Sequence, residues 1–140
     1  MMVMGKKSMF QFGRGAFFSG QLDYRIENLH FSMKAYNAFH YMQCFEFDIT
    51  DEELGEIGTI LTPAKAWKAE YNNNDGILDG FGWDIKYCYN GVALKSSGYE
   101  AYPQNYNEVV AELQEYMETL CKKYSADQYK EEEAKERIRL

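Results

Sequence analysis

The chain has 140 residues, with 15 Lys and Arg against 22 Asp and Glu, a net charge of −7 and a pI near 4.9. That is one domain's length of chain. Its acidity argues against a basic nucleic-acid binder, and no apolar run approaches the roughly 18 residues of a membrane span. The 12 Tyr and 9 Phe predict a core that is aromatic rather than aliphatic.

Residues 1–21 read as an N-terminal arm. Its apolar stretch is interrupted by Gly5, Gly13, Arg14 and Gly15, so it holds no signal-peptide core. Phe10, Phe12, Phe17 and Phe18 are too many for a solvated tail, and part of the arm is expected to pack, as an edge strand. From Leu22 the pattern becomes that of a strand. Leu29, Phe31 and Met33 alternate with His30, Ser32 and Lys34, as in a half-buried strand. After a turn around Asn37, Phe39, Tyr41, Phe45, Phe47 and Ile49 form a second strand, the hairpin partner of the first.

Thr50-Asp51-Glu52-Glu53 is a capping box, flanked by Ile49 and Leu54 as a hydrophobic staple. The helix it opens buries Leu54, Ile57, Ile60 and Leu61, and Pro63 stops or restarts it. Residues 64–71 fit a further helical turn or a short strand equally well. Asn72 to Gly76 reads as a loop. Trp83, Ile85, Tyr87 and Tyr89 then alternate with polar residues up to Asn90-Gly91, a type I′ hairpin signal. Counting outward pairs Tyr89 with Val92, Tyr87 with Leu94, Ile85 with Ser96 and Trp83 with Gly98. Lys86 then faces Lys95, so that side of the hairpin is expected to be wet. Asn105 caps the last helix, with Glu108 in the capping-box position. Val109, Leu113, Tyr116, Met117, Leu120, Cys121 and Tyr124 form its apolar face.

These elements predict a single α+β domain over 22–124 and a charged C-terminal extension over 125–140. The expected architecture is one antiparallel sheet of two hairpins with two helices packed on one face, in the order ββα–ββα.

Two segments, Asp79-Gly80-Phe81-Gly82-Trp83-Asp84-Ile85-Lys86-Tyr87 and Ser97-Gly98-Tyr99-Glu100-Ala101-Tyr102-Pro103-Gln104-Asn105-Tyr106, share a pattern. It is a DG turn, a strand of the form W-x-hydrophobic-x-Tyr, a hairpin, then G-x-x-A-Y-P-x-N-aromatic leading into a helix. The pattern resembles a small domain of gut-type and clostridial bacterial proteins with no known activity. The resemblance implies that Trp83, Tyr102, Pro103 and Asn105 are packing and turn residues. It implies no chemistry.

Motifs that carry chemistry are missing or incomplete. Gly13-Arg14-Gly15 with Gly20 lacks the spacing and the preceding strand of a dinucleotide loop. Asn73, Asp75 and Gly76 match inner positions of a calcium loop whose acidic ends are absent. His30 and His40 lie on different expected strands, and a metal pair would need them to meet across the hairpin. His40 and Cys44 share a strand face, but nothing marks the thiol as activated. Glu52 and Glu56 suit an exposed helix face better than a glycosidase site. Cys44, Cys88 and Cys121 are odd in number and far apart, which predicts reduced thiols and a cytoplasmic protein. No catalytic residue, metal or cofactor is assigned.

Charge is the informative anomaly. Residues 1–45 carry net +3, residues 46–118 carry net −11 and residues 119–140 carry net +1. The acidic block holds both helices, so Glu52, Glu56, Glu108, Glu112, Glu115 and Glu118 are expected on their outer faces. The expected function is that of a non-catalytic protein-binding or inhibitory module, meeting a partner protein with a basic surface through these acids and through Tyr99, Tyr102 and Tyr106. One concrete form is an anti-defence inhibitor carried by a phage or mobile element. Direct binding to nucleic acid or membrane is not expected. The alternative is a small-ligand binder or enzyme whose site no sequence motif marks.

Overall fold

The computed structural model describes residues 8–16, 20–37, 40–72 and 80–125. Seven strands form one mixed sheet beside two helices, an α+β fold. The first four are β1 (Met9–Ala16), β2 (Gly20–Glu27), β3 (His30–Asn37) and β4 (His40–Asp48). Helix α1 (Asp51–Ile60) and a single 3-10 turn (Thr62–Ala64) follow, then β5 (Glu70–Asn72), β6 (Gly82–Tyr89), β7 (Val92–Tyr99) and α2 (Tyr106–Tyr124). Across the sheet the order is β4-β3-β2-β1-β6-β7-β5. Every neighbouring pair is antiparallel except β5 with β7.

The order is therefore not ββα–ββα. One extra strand comes from the expected arm. Met9–Ala16 is no edge strand: it pairs with β2 on one side and β6 on the other, at the centre of the sheet. Phe10 and Phe12 explain why. Both are 0% exposed, and burying a phenylalanine stabilises by roughly 1.5–3 kcal/mol. The stretch from Leu22 onward also divides in two at Asn28 and Leu29, which turn with φ of 51° and 67°. Asn tolerates that conformation, whereas Leu is a poor residue for it, so the turn carries a weak signal. Residues 64–71 hold both expected alternatives in part, the end of the 3-10 turn and the start of β5.

Alternation places one face of the sheet in the core. Phe10 and Phe12 of β1, Tyr24 and Ile26 of β2, Phe31 and Met33 of β3, and Trp83, Ile85 and Tyr87 of β6 are all buried. They share one cluster with Leu54 and Ile57 of α1 and Val109, Leu113, Met117 and Leu120 of α2. The second hairpin has the expected register at every counted pair, including Trp83 opposite Gly98 and Lys86 opposite Lys95. Asn90 and Gly91 have φ of 49° and 83°, as a type I′ turn requires. A Cβ on Gly98 would run into the Trp83 indole, so the ring occupies the place where a side chain would stand.

Helix α1 starts with the expected reciprocal cap: Glu53 N–H donates to Thr50 Oγ1 at 3.2 Å and Thr50 N–H to Glu53 Oε1 at 2.8 Å. The cap expected at α2 is different. Asn105 stands at the N-cap position without a side-chain cap bond. Its Oδ1 accepts from Trp67 Nε1 at 2.7 Å and its Nδ2 donates to Pro63 O at 3.2 Å. A half-buried indole N–H needs an acceptor, and the amide meets that need instead of capping the helix. No helix among the described residues is long and apolar enough to cross a membrane.

Candidate functional site

The outer faces of the two helices carry the acids that the charge pattern singles out. Glu52 and Glu56 of α1 and Glu108, Glu112, Glu115 and Glu118 of α2 are all exposed. Their spacing on α2 aligns Glu108, Glu112 and Glu115 along one stripe opposite the buried Val109, Leu113 and Met117. The two helices adjoin at Tyr116. Burial pushes its phenol up to about 12, with Glu56 and Glu53 adding to the shift. Among the described residues none of the six exposed glutamates is in an ion pair.

Glu53 is the exception on α1. It is 7% exposed and accepts from Lys123 Nζ at 2.7 Å and from Tyr124 Oη at 2.6 Å, in addition to the cap. Burial pushes its carboxyl up, but the bonds from Lys123, Tyr124 and the Thr50 N–H outweigh that and hold it at about 2. This clasp joins the start of α1 to the end of α2. Sequence reasoning found its Thr50–Glu53 half from local spacing. Nothing local announces the partners some 70 residues on.

The three tyrosines expected at a binding surface do not share one environment. Tyr102 is 40% exposed. Tyr99 is half-buried, and its hydroxyl accepts from Gly80 N–H at 2.7 Å. Tyr106 is no surface residue: it is 5% exposed, because the first turn of α2 drives it into an aromatic cluster. Its ring centre lies 4.8 Å from Tyr102, 5.1 Å from Trp83 and 6.2 Å from Trp67. Trp83 donates to Ala101 O at 3.0 Å, and Pro103 is buried. The Tyr106 hydroxyl is the one buried side-chain polar atom without a partner among the described residues. Arg14 reaches this cluster from the core-facing side of β1, with its guanidinium carbon 6.0 Å from the Phe81 ring centre. The sequence does not single out Arg14, because its segment reads as an arm.

The opposite face of the sheet holds an open trough of about 610 Å³. Gly13, Gly15 and Gly82 leave its floor without side chains, and Asp23, Asp84 and Lys34 stand around it. The two carboxylates converge over Gly13, where a Cβ would lie 3.0 Å from Asp84 Oδ1 and 3.3 Å from Asp23 Oδ1. Burial raises the Asp84 carboxyl. Gln11, donating at 2.9 Å, opposes that, and the Asp23 charge adds to it. Asp23 has Arg25 at 4.0 Å. Such a pair can share a proton or accept a donor, but no group of three or more metal-ligating side chains is found among the described residues. The two aspartates lie on strands far apart in sequence, so only the register of β2, β1 and β6 reveals them.

The remaining candidates are not brought together. His30 pairs with Asp48 at the start of β3, whereas the backbone of His40 pairs with Asn37 at the far end of the same hairpin. His30 holds Asp48 at 2.9 Å and Glu46 at 3.2 Å in the open, and these bonds raise its pKa, Asp48 most. None of the three cysteines is in a disulfide. Only Cys121 is buried, which pushes its thiol up to about 12, the reverse of an activated nucleophile. The calcium-like residues Asn73, Asp75 and Gly76 and the C-terminal extension beyond Ser125 lie outside the described residues.

Comparison with protein-family models and with curated proteins finds no match for the chain.

Proposed function

We propose that the protein is a non-catalytic binding module that docks on a basic surface of a partner protein through the outer face of its helical layer. An inhibitor carried by a phage or mobile element is one form this would take. The observation that supports the reading is the set of six exposed glutamates on α1 and α2, none neutralised by an ion pair among the described residues. Unpaired surface acids add little to folding stability. Carried on the exposed sides of two helices, such acids create a field that speeds encounter with a basic partner and turns wrong partners away.

Association with an immobilised poly-lysine surface tests this, as a defined stand-in for a basic partner. Wild-type association should slow steeply as salt rises toward about 0.5 M and the screening length falls to a few ångströms. Reversing Glu112 and Glu115 to Lys should slow it further at low salt. Reversing Glu27 and Glu46 on the sheet changes net charge by the same amount and should matter less. Equal effects from the two double reversals would show that net charge, not the helical face, drives binding, and the reading would fail.

A further inference from the structure

We propose that Arg14 and the Tyr106 hydroxyl form a receptor for a carboxylate, reached past Tyr102 where the start of α2 meets the sheet. This goes beyond the docking reading and does not depend on it, since the helical glutamates take no part.

Three observations carry it. First, Tyr106 is 5% exposed and its hydroxyl has no partner among the described residues. A buried O–H left unpaired is costly, and an incoming acceptor would remove that cost. Second, Arg14 stands where the strand pattern calls for an apolar residue, between Leu22 and Trp83 in register. It is in no ion pair among the described residues. Burial pushes the Tyr106 phenol up, and Arg14 pulls it back through its charge and through a close side-chain approach to the hydroxyl, an approach that falls short of hydrogen-bond geometry. The hydroxyl proton thus has no acceptor among the described residues, and the cation beside it has no carboxylate partner there. Third, Tyr102 is the exposed large apolar side chain of the described residues, and its ring packs on Tyr106. Its ring centre is 4.8 Å from Tyr106 and 6.4 Å from Phe81.

The donor set selects the ligand. A guanidinium presents a planar fork, which matches the two oxygens of a carboxylate. One fork and one hydroxyl are too few donors for a phosphate dianion. Glu100 also stands nearby, with its Oε1 held by Phe81 N–H at 2.7 Å, and would repel a second negative charge. The surrounding rings of Phe81, Trp83 and Tyr102 suit a flat apolar body behind the carboxylate. Both a free aromatic acid and the C-terminal end of a peptide carry that chemistry.

Trp83 and Trp67 lie 5.1 and 6.2 Å from Tyr106, so tryptophan emission reports on the place directly. The full chain is titrated with benzoate, with N-acetyl-phenylalanine as a peptide end, with benzamide and with inorganic phosphate. A saturable change is expected with the two carboxylates and none with benzamide or phosphate. Which carboxylate binds tighter tells the free acid from the peptide end. Tyr106→Phe should weaken carboxylate binding on the order of tenfold, and Arg14→Gln should weaken it at least as much. Arg14→Lys keeps the charge but loses the fork, and should fall between wild type and Arg14→Gln. Thermal unfolding without ligand shows whether each variant folds, and Arg14→Lys serves if Arg14→Gln does not. No saturable response to either carboxylate, an equal response to benzamide or phosphate, or unchanged binding by folded Tyr106→Phe would overturn the proposal.

Discussion

The two ends of α2 are built alike and finished differently. Each presents a tyrosine to a charged side chain from another element. At the C-terminal end Tyr124 donates to Glu53, which also takes Lys123 and the Thr50 N–H, so the carboxylate is bonded from three directions. At the N-terminal end Tyr106 lies deeper, beside Arg14, and its hydroxyl has no hydrogen-bond partner among the described residues. Burial raises the cost of an unpaired polar group, so the deeper end is the one where a missing partner matters more. The satisfied end holds the two helices in place. The unsatisfied end spends stability, as functional sites do when the compensating bond comes from a ligand.

The largest effect is expected from breaking the satisfied end. Glu53→Gln removes the charge while keeping the shape, and should cost about 3 kcal/mol in denaturant unfolding at neutral pH. The same group sets an acid limit. Its folded pKa of about 2 lies below the ordinary 4.5, so its contribution is whole above about pH 4.5 and is lost as pH falls toward 2. Wild-type stability should therefore fall over that window, and the Glu53→Gln variant should lose most of the slope. A variant as acid-sensitive as wild type would place the pH dependence elsewhere.

Asn105→Ala comes next, at roughly 1–2 kcal/mol, because it strands the Trp67 indole N–H beside the open end of the molecule. Trp67 packs on both Trp83 and Tyr106, so the loss should also appear as a change in tryptophan emission. A cost near zero would mean that the indole finds water and that this end is looser than the comparison with Glu53 requires.

What the sequence disclosed follows the same division between local and distant contacts. The Thr50–Glu53 cap and the Asn90-Gly91 turn are encoded within a few residues, and both were legible, down to the register that seats Trp83 over Gly98. The exposed acids on the helices were legible too, because a 3.6-residue period sorts outer from inner positions. The central strand was not. Glycines and a lone Arg14 interrupt Met9–Ala16, and its phenylalanines are buried only because β2 and β6 lie on both sides. Asn105 had the spacing of a cap, but its amide is claimed by Trp67, 38 residues away. The Asp23–Asp84 pair and the Arg14–Tyr106 pair exist only once the strand order is known, since no local rule sets β1 beside β6. Tyr106 reads as a surface residue because tyrosines anchor interfaces, and only the aromatic cluster around it reverses that.

The smallest effect is the sharpest test of the comparison, because one substitution can be made at both ends. Tyr124→Phe deletes a hydroxyl bonded to a carboxylate at 2.6 Å and keeps the ring stacked on Phe47, so it should cost about 1 kcal/mol. Tyr106→Phe deletes a hydroxyl that has no partner among the described residues. It removes a buried polar atom and leaves the contacts with Trp67, Trp83 and Tyr102 in place, so its cost should be near zero, and a gain of a few tenths of a kcal/mol is consistent with losing an unsatisfied group. Differential denaturation of the two variants at neutral pH measures the contrast directly. If Tyr106→Phe costs as much as Tyr124→Phe, the hydroxyl is bonded in solution, with Arg14 the nearest group to bond it. The two ends of α2 would then be equally complete, and the N-terminal end would have no bonding capacity left to offer a ligand.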